Sequence, residues 1–113
     1  MGIFRKRYRL DHLTEEERWA VRKVLESEAR GCRDPSRLEM ARERLAHFEK
    51  NRMNKRDIQL TYAAVSGMLS AVQKAEPPQG DANREKWEHL AAALTGAKEK
   101  LYDLAIPFDL LMR

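Results

Sequence analysis

Cysteine is nearly absent from this chain: Cys32 stands alone in 113 residues. No intramolecular disulfide framework is possible, and such usage fits a reducing compartment. Aromatic residues make up only 7%, and five glycines and four prolines fall below average usage. Those shortages exclude collagen and low-complexity disorder. A polytopic membrane protein is excluded as well, because no segment combines the length and apolarity that a span needs. The opening residues MGIFRKRYR are charged, with no apolar stretch after them, so no secretory signal is expected. Lys6 stands where a myristoylation signal needs Ser or Thr. The expected location is cytoplasmic.

Catalytic patterns are equally scarce. The glycines are scattered at 2, 31, 67, 80 and 96, which gives no loop to cradle a phosphate. Ser66-Gly67 lacks the flanking glycine and strand context of a nucleophile elbow. Cys32 has no partner thiol and lies on a helical apolar stripe, so it reads as a small core residue. Glu43 with His47, and Glu85 with His89, share a helix face at i,i+4, but both histidines fall nearly opposite the apolar stripes and are expected to be exposed. His12 has no evident role. No enzyme, cofactor or metal site is expected.

What the chain does have is charge, at 35%, and 42% hydrophobic residues. The length suits one domain. The net charge of +4 is uneven: residues 1–57 hold 16 Lys/Arg against 11 Asp/Glu, and residues 58–113 hold 6 against 7. Most of the excess lies in Arg5, Lys6, Arg7 and Arg9, and in Lys50, Arg52, Lys55 and Arg56. Both clusters are candidate phosphate contacts, although the second also suits the cationic end of a helix.

The apolar spacing predicts four helices. Thr14 and Glu17 form a capping box that opens the first, over 15–30, with Val21, Val24, Leu25, Ala29 and Cys32 on one face. Asp34 and Pro35 start the second, over 35–51, with Leu38, Ala41, Leu45 and Phe48 inward. The third, over 56–75, contains 16 uncharged residues from Ile58 to Gln73. Ile58, Tyr62, Val65, Leu69 and Val72 line one side, and Leu60, Ala63, Ala64, Gly67 and Ala71 the other. A helix apolar on both sides is expected to be central and buried by several neighbours. After the linker Glu76-Pro77-Pro78-Gln79-Gly80, capped by Asp81 or Asn83, the fourth runs over 82–105 on Trp87, Leu90, Leu94, Ala97, Leu101 and Leu104. Ile106-Pro107 is expected to end it. The fold class is therefore all-α: a small four-helix bundle with a basic N-terminal arm over 1–13 and an apolar C-terminal tail over 106–113.

Three features exceed what such a bundle requires. Trp19 falls about 160° from its helix stripe at ~100° per residue, among charged neighbours, and Met40 is off-stripe too. The tail Ile106 to Arg113 is strongly apolar for a chain end. The arm alternates Phe4, Lys6, Tyr8 and Leu10 with Arg5, Arg7 and Arg9, the period of a strand that needs an edge on a partner or a second subunit. The leading expectation is a non-enzymatic regulatory interaction module, an adaptor or inhibitor anchored by Trp19, Leu60, Phe108, Leu110 and Leu111, with a homodimer through the third and fourth helices favoured. The alternative is a nucleic-acid-binding accessory protein using Arg5, Lys6, Arg7, Arg9, Lys50, Arg52, Lys55 and Arg56. Sequence-specific duplex reading is not expected: the third helix offers no cation, and Glu39 and Glu43 offset Arg37, Arg42 and Arg44 on the second.

Overall fold

Among the described residues four helices follow one another: α1 (Glu15–Gly31), α2 (Pro35–Glu49), α3 (Lys55–Lys74) and α4 (Asp81–Leu111). The computed structural model describes residues 7–76 and 78–111, with side chains through residue 105. Arg5 and Lys6 lie outside the described residues, as do the side chains of Phe108, Leu110 and Leu111. No helix among the described residues is long and apolar enough to cross a membrane.

Local chemistry sets each start. Thr14 accepts the Glu17 N–H at 3.1 Å while the Glu17 carboxylate accepts the Thr14 N–H at 2.9 Å, the reciprocal capping box expected for α1. Asp34 caps α2 through the Ser36 N–H, with Pro35 at the first helical position. A second capping box, Asn54 with Asp57, opens α3. Gly80, at φ +95°, turns the chain into α4, which begins at Asp81.

α2 stops at Glu49, two residues before the expected end. Asn51 takes a left-handed φ of 56°, its N–H bonds the Phe48 carbonyl, and the Arg52 N–H reaches back to the His47 carbonyl. This is a Schellman closure with asparagine in the place glycine usually takes. At the other extreme, α4 continues past Pro107 to Leu111 instead of ending at 105. Proline removes a single intrahelical bond. The three-four spacing of Leu101 and Leu104 carries on through Phe108 and Leu111, so the apolar phase of the helix outlasts the local signal to stop.

The centre is α1, not α3. α1 packs on α2, α3 and α4, and α3 and α4 form the most extensive pair, whereas α2 rests mainly on α1. Val21, Val24 and Leu25 meet Phe48, Ile58, Val65, Leu94 and Leu101 in one core. α3 buries the expected Ile58, Val65 and Leu69, but Ala63, Gly67, Ser70 and Ala71 remain exposed on its other side. The absence of charge there reflects small residues that tolerate water, not burial by a further helix. Cys32 also departs from expectation. It is the half-buried C-cap of α1, its Sγ 3.6 Å from the Asp34 carbonyl, because the helix ends before the stripe reaches it.

The described part of the arm, residues 7–13, belongs structurally to the bundle. Tyr8 and Met53 exchange backbone hydrogen bonds of 2.7 and 3.2 Å, so the strand-like alternation finds its edge in the same chain, on the turn between α2 and α3. Leu10 and Leu13 are buried, while Arg7 and Arg9 face out.

Candidate functional site

Two surfaces collect the residues that the core leaves over. The first is a groove of about 820 Å³ lined by Glu15, Glu16 and Trp19 of α1 and by Ala82, Glu85, Lys86 and His89 of α4. Trp19 is 39% exposed despite its size. Its indole tilts at 52° against the His89 imidazole, with ring centroids 6.4 Å apart. α1 turns Val21, Val24 and Leu25 to the core, and Trp19, half a turn away, comes to lie beside the first turns of α4.

The groove rests on a fixed joint. The Lys100 ammonium donates to the Glu17 carboxylate and, at 2.9 Å, to the His12 carbonyl, tying the start of α1 to α4. Gly96 makes this possible: a Cβ there would stand 2.0 Å from the Glu17 carboxylate oxygen. Burial pushes the Glu17 carboxyl upward, but the bonds from Lys100 and Thr14 outweigh it and hold the group below its ordinary range.

The second surface surrounds the turn between α2 and α3. Arg7 reaches the Arg52 carbonyl at 3.4 Å, so the bridge at Tyr8 and Met53 brings this residue of the first basic cluster to the second. Lys50, Arg52, Lys55 and Arg56 are exposed, and Lys55 and Arg56 stand in the first turn of α3. Arg9 instead pairs with Asp11 at 2.8 Å. The Asn51 side chain locks this corner: it accepts the Leu10 N–H at 2.7 Å and donates to Asp11 at 2.6 Å. Hydrogen bonds from Arg9 and Asn51 hold the Asp11 carboxyl below its ordinary range. Arg18 closes the inner side, donating to the Leu10 carbonyl at 2.7 Å with its guanidinium over the Phe48 ring.

The remaining candidates are distributed differently. Leu60 is half-buried and lines neither surface, and Met40 is exposed on α2. His89 is exposed as expected, but His47 is not. Its Nδ1 lies 2.7 Å from the Asp57 carboxylate, because the α3 capping box aims Asp57 back at the end of α2. Among the described residues, no group of three or more His, Cys, Asp and Glu side chains could hold a metal ion.

Sequence reasoning missed two features. Tyr102 is 48% exposed and stacks obliquely on Tyr62, at 5.7 Å between centroids. Its position one residue off the α4 stripe was the available signal. Asn51 was expected as the last residue of the second helix, although asparagine is the residue other than glycine most at home in a left-handed closure.

Comparison of this chain with known protein families, with characterised proteins and with solved structures finds no match in any of the three.

Proposed function

We propose that this protein is a non-enzymatic interaction module, a regulator that docks on another protein through the groove at Trp19. One observation carries the reading: the largest side chain of α1 is left 39% exposed at the mouth of the groove, while smaller apolar residues of the same helix are sealed in the core. Exposed tryptophan is enriched where interfaces have their energetic centre. Lone Cys32 and a charged surface suit work in the reducing cytoplasm. The experiment is affinity capture with the wild-type chain and with Trp19→Ala, followed by reconstitution with each purified captured protein. Trp19→Ala is expected to weaken the reconstituted complex at least tenfold. An unchanged complex removes the groove as the docking surface.

A second reading has its own observation. Arg7 and the cluster Lys50, Arg52, Lys55 and Arg56 meet on one surface although more than forty residues separate them in sequence. Such a patch suits phosphates, and nucleic-acid affinity would then fall steeply with salt as counterions are released. A gel-shift assay at low salt with no retarded band overturns this alternative.

A further inference from the structure

The groove at Trp19 has a charge pattern that packing does not explain. Glu15 and Glu16 project from the first turn of α1, and Glu85 from α4 opposite, with Lys86 as the single lysine or arginine in the lining. None of the three carboxylates forms an ion pair among the described residues, although cations are abundant elsewhere and pair readily: Arg9 with Asp11, Arg22 with Glu49, Lys100 with Glu17. The macrodipole of α1 favours acid at Glu15 and Glu16 in its own first turn, whereas Glu85 is brought to the groove by α4. The indole of Trp19 lines the same groove, tilted at 52° to the His89 imidazole.

We propose that the groove binds a cationic segment of a partner protein, seating an arginine or lysine head over the Trp19 ring between Glu15, Glu16 and Glu85. This rests on the reading of the chain as an interaction module and names the chemistry of its partner. An aromatic face attracts a cation within about 6 Å of its centroid, and more strongly once the pair is desolvated. Carboxylates beside it supply charge-assisted bonds to the same head. The chain carries +4 with its positive excess in residues 1–57, so a basic partner is repelled by the Lys/Arg clusters there and drawn to this patch. An acidic or phosphorylated segment meets like charge at the rim.

The test uses the full chain, labelled with ¹⁵N and titrated with a hexa-arginine peptide at low and physiological salt. Trp19 and Trp87 each give an indole N–H signal, assigned by Trp19→Phe. The Trp19 signal is expected to shift with saturation and the Trp87 signal to stay in place. Glu15→Gln/Glu16→Gln/Glu85→Gln is expected to bind at least tenfold more weakly. A control of equal charge change, Glu39→Gln/Glu99→Gln/Asp103→Asn, is expected to lose much less, and the spectra report that both variants are folded. Equal losses in the two triple variants, or an unmoved Trp19 signal, overturn the proposal. If the groove triple variant keeps full affinity for a reconstituted partner that Trp19→Ala loses, the groove docks proteins but not through a cation. If Trp19→Ala changes neither, the interaction reading falls as well.

Discussion

The arm corner and the Trp19 groove start from the same surplus of apolar and charged residues and finish differently. At the corner, Leu10, Leu13, Phe48 and Met53 are buried, and the polar groups around them are bonded to one another: Asn51 to Leu10 and Asp11, Arg18 to the Leu10 carbonyl, Asp57 to Asn54 and His47. At the groove, Trp19 stays exposed and its acidic neighbours form no ion pair among the described residues. Apolar residues outside the helical stripes therefore do two jobs in this chain. Where backbone groups and side-chain amides complete the surroundings, they extend the core; at Trp19, where they do not, the side chain stays exposed, and the proposed docking rests on that exposure.

The sharpest way to break this contrast is to remove the buried side of it. Leu10 is fully buried although it belongs to no helix. Leu10→Ala is expected to cost about 2–5 kcal/mol, the range for truncating a buried leucine, read by urea or thermal denaturation. A loss below about 0.5 kcal/mol would class the arm with ordinary surface substitutions and erase the contrast.

Asn51 offers a finer cut, because it does two things at once. Asn51→Gly keeps the left-handed backbone but gives up the bonds to Leu10 and Asp11, for an expected loss of about 1 kcal/mol. Asn51→Ala loses the same bonds and adds roughly 1–2 kcal/mol of left-handed strain, so it should be the less stable of the two. Equal stabilities would mean that the clamp, and not the left-handed closure, is what Asn51 contributes.

The joint between the two regions responds to acid. The Glu17 carboxyl is depressed in the folded chain: burial raises it, and Lys100 and Thr14 more than reverse that. A depressed carboxyl contributes stability that is complete above its unfolded value and drains away as pH falls through the folded one. Asp11, depressed by Arg9 and Asn51, acts in the same sense. The wild-type chain is therefore expected to lose stability below the ordinary carboxyl value of 4.5, and Glu17→Gln to lose less over that window. At neutral pH Glu17→Gln is expected to cost about 1–2 kcal/mol, as for a lost charged hydrogen bond. In a Gly96→Ala background, where the new methyl displaces the carboxylate, the same substitution should cost far less. Additive losses would show that Glu17 does not occupy the notch at Gly96.

Much of this architecture is written in local signals. Thr14 with Glu17 and Asp34 with Pro35 announce helix starts because each satisfies backbone groups within a few residues. The faces of α1 and α3 follow from spacing alone. What spacing does not carry is which face meets which helix. Hence α3, uncharged on both sides, was expected at the centre, whereas α1 holds that place. Nor does it show long-range pairings, such as Tyr8 with Met53 or His47 with Asp57, that depend on how the helices stack. The extension of α4 was half legible: the proline signal is local and strong, and Phe108 and Leu111, which continue the three-four spacing, were read as a tail. For the candidate site, Trp19 stood out by its angle from the stripe, but its partners Glu85 and His89 lie on α4 and come together with it only in the folded chain.

The smallest stability effect belongs to Trp19 itself. Trp19→Ala removes a side chain that touches His89 and the first turns of α4 but lies outside the buried core cluster. The expected cost is about 1 kcal/mol or less, near the range for surface positions and far below the 3–5 kcal/mol of a core tryptophan. The same denaturation assay reads it beside Leu10→Ala. A loss above about 3 kcal/mol would place Trp19 with the core and end the distinction between the two regions, because an indole needed for folding is not free to serve a partner. A small loss together with a large one at Leu10 leaves an exposed indole whose retention folding does not explain, the condition that docking requires.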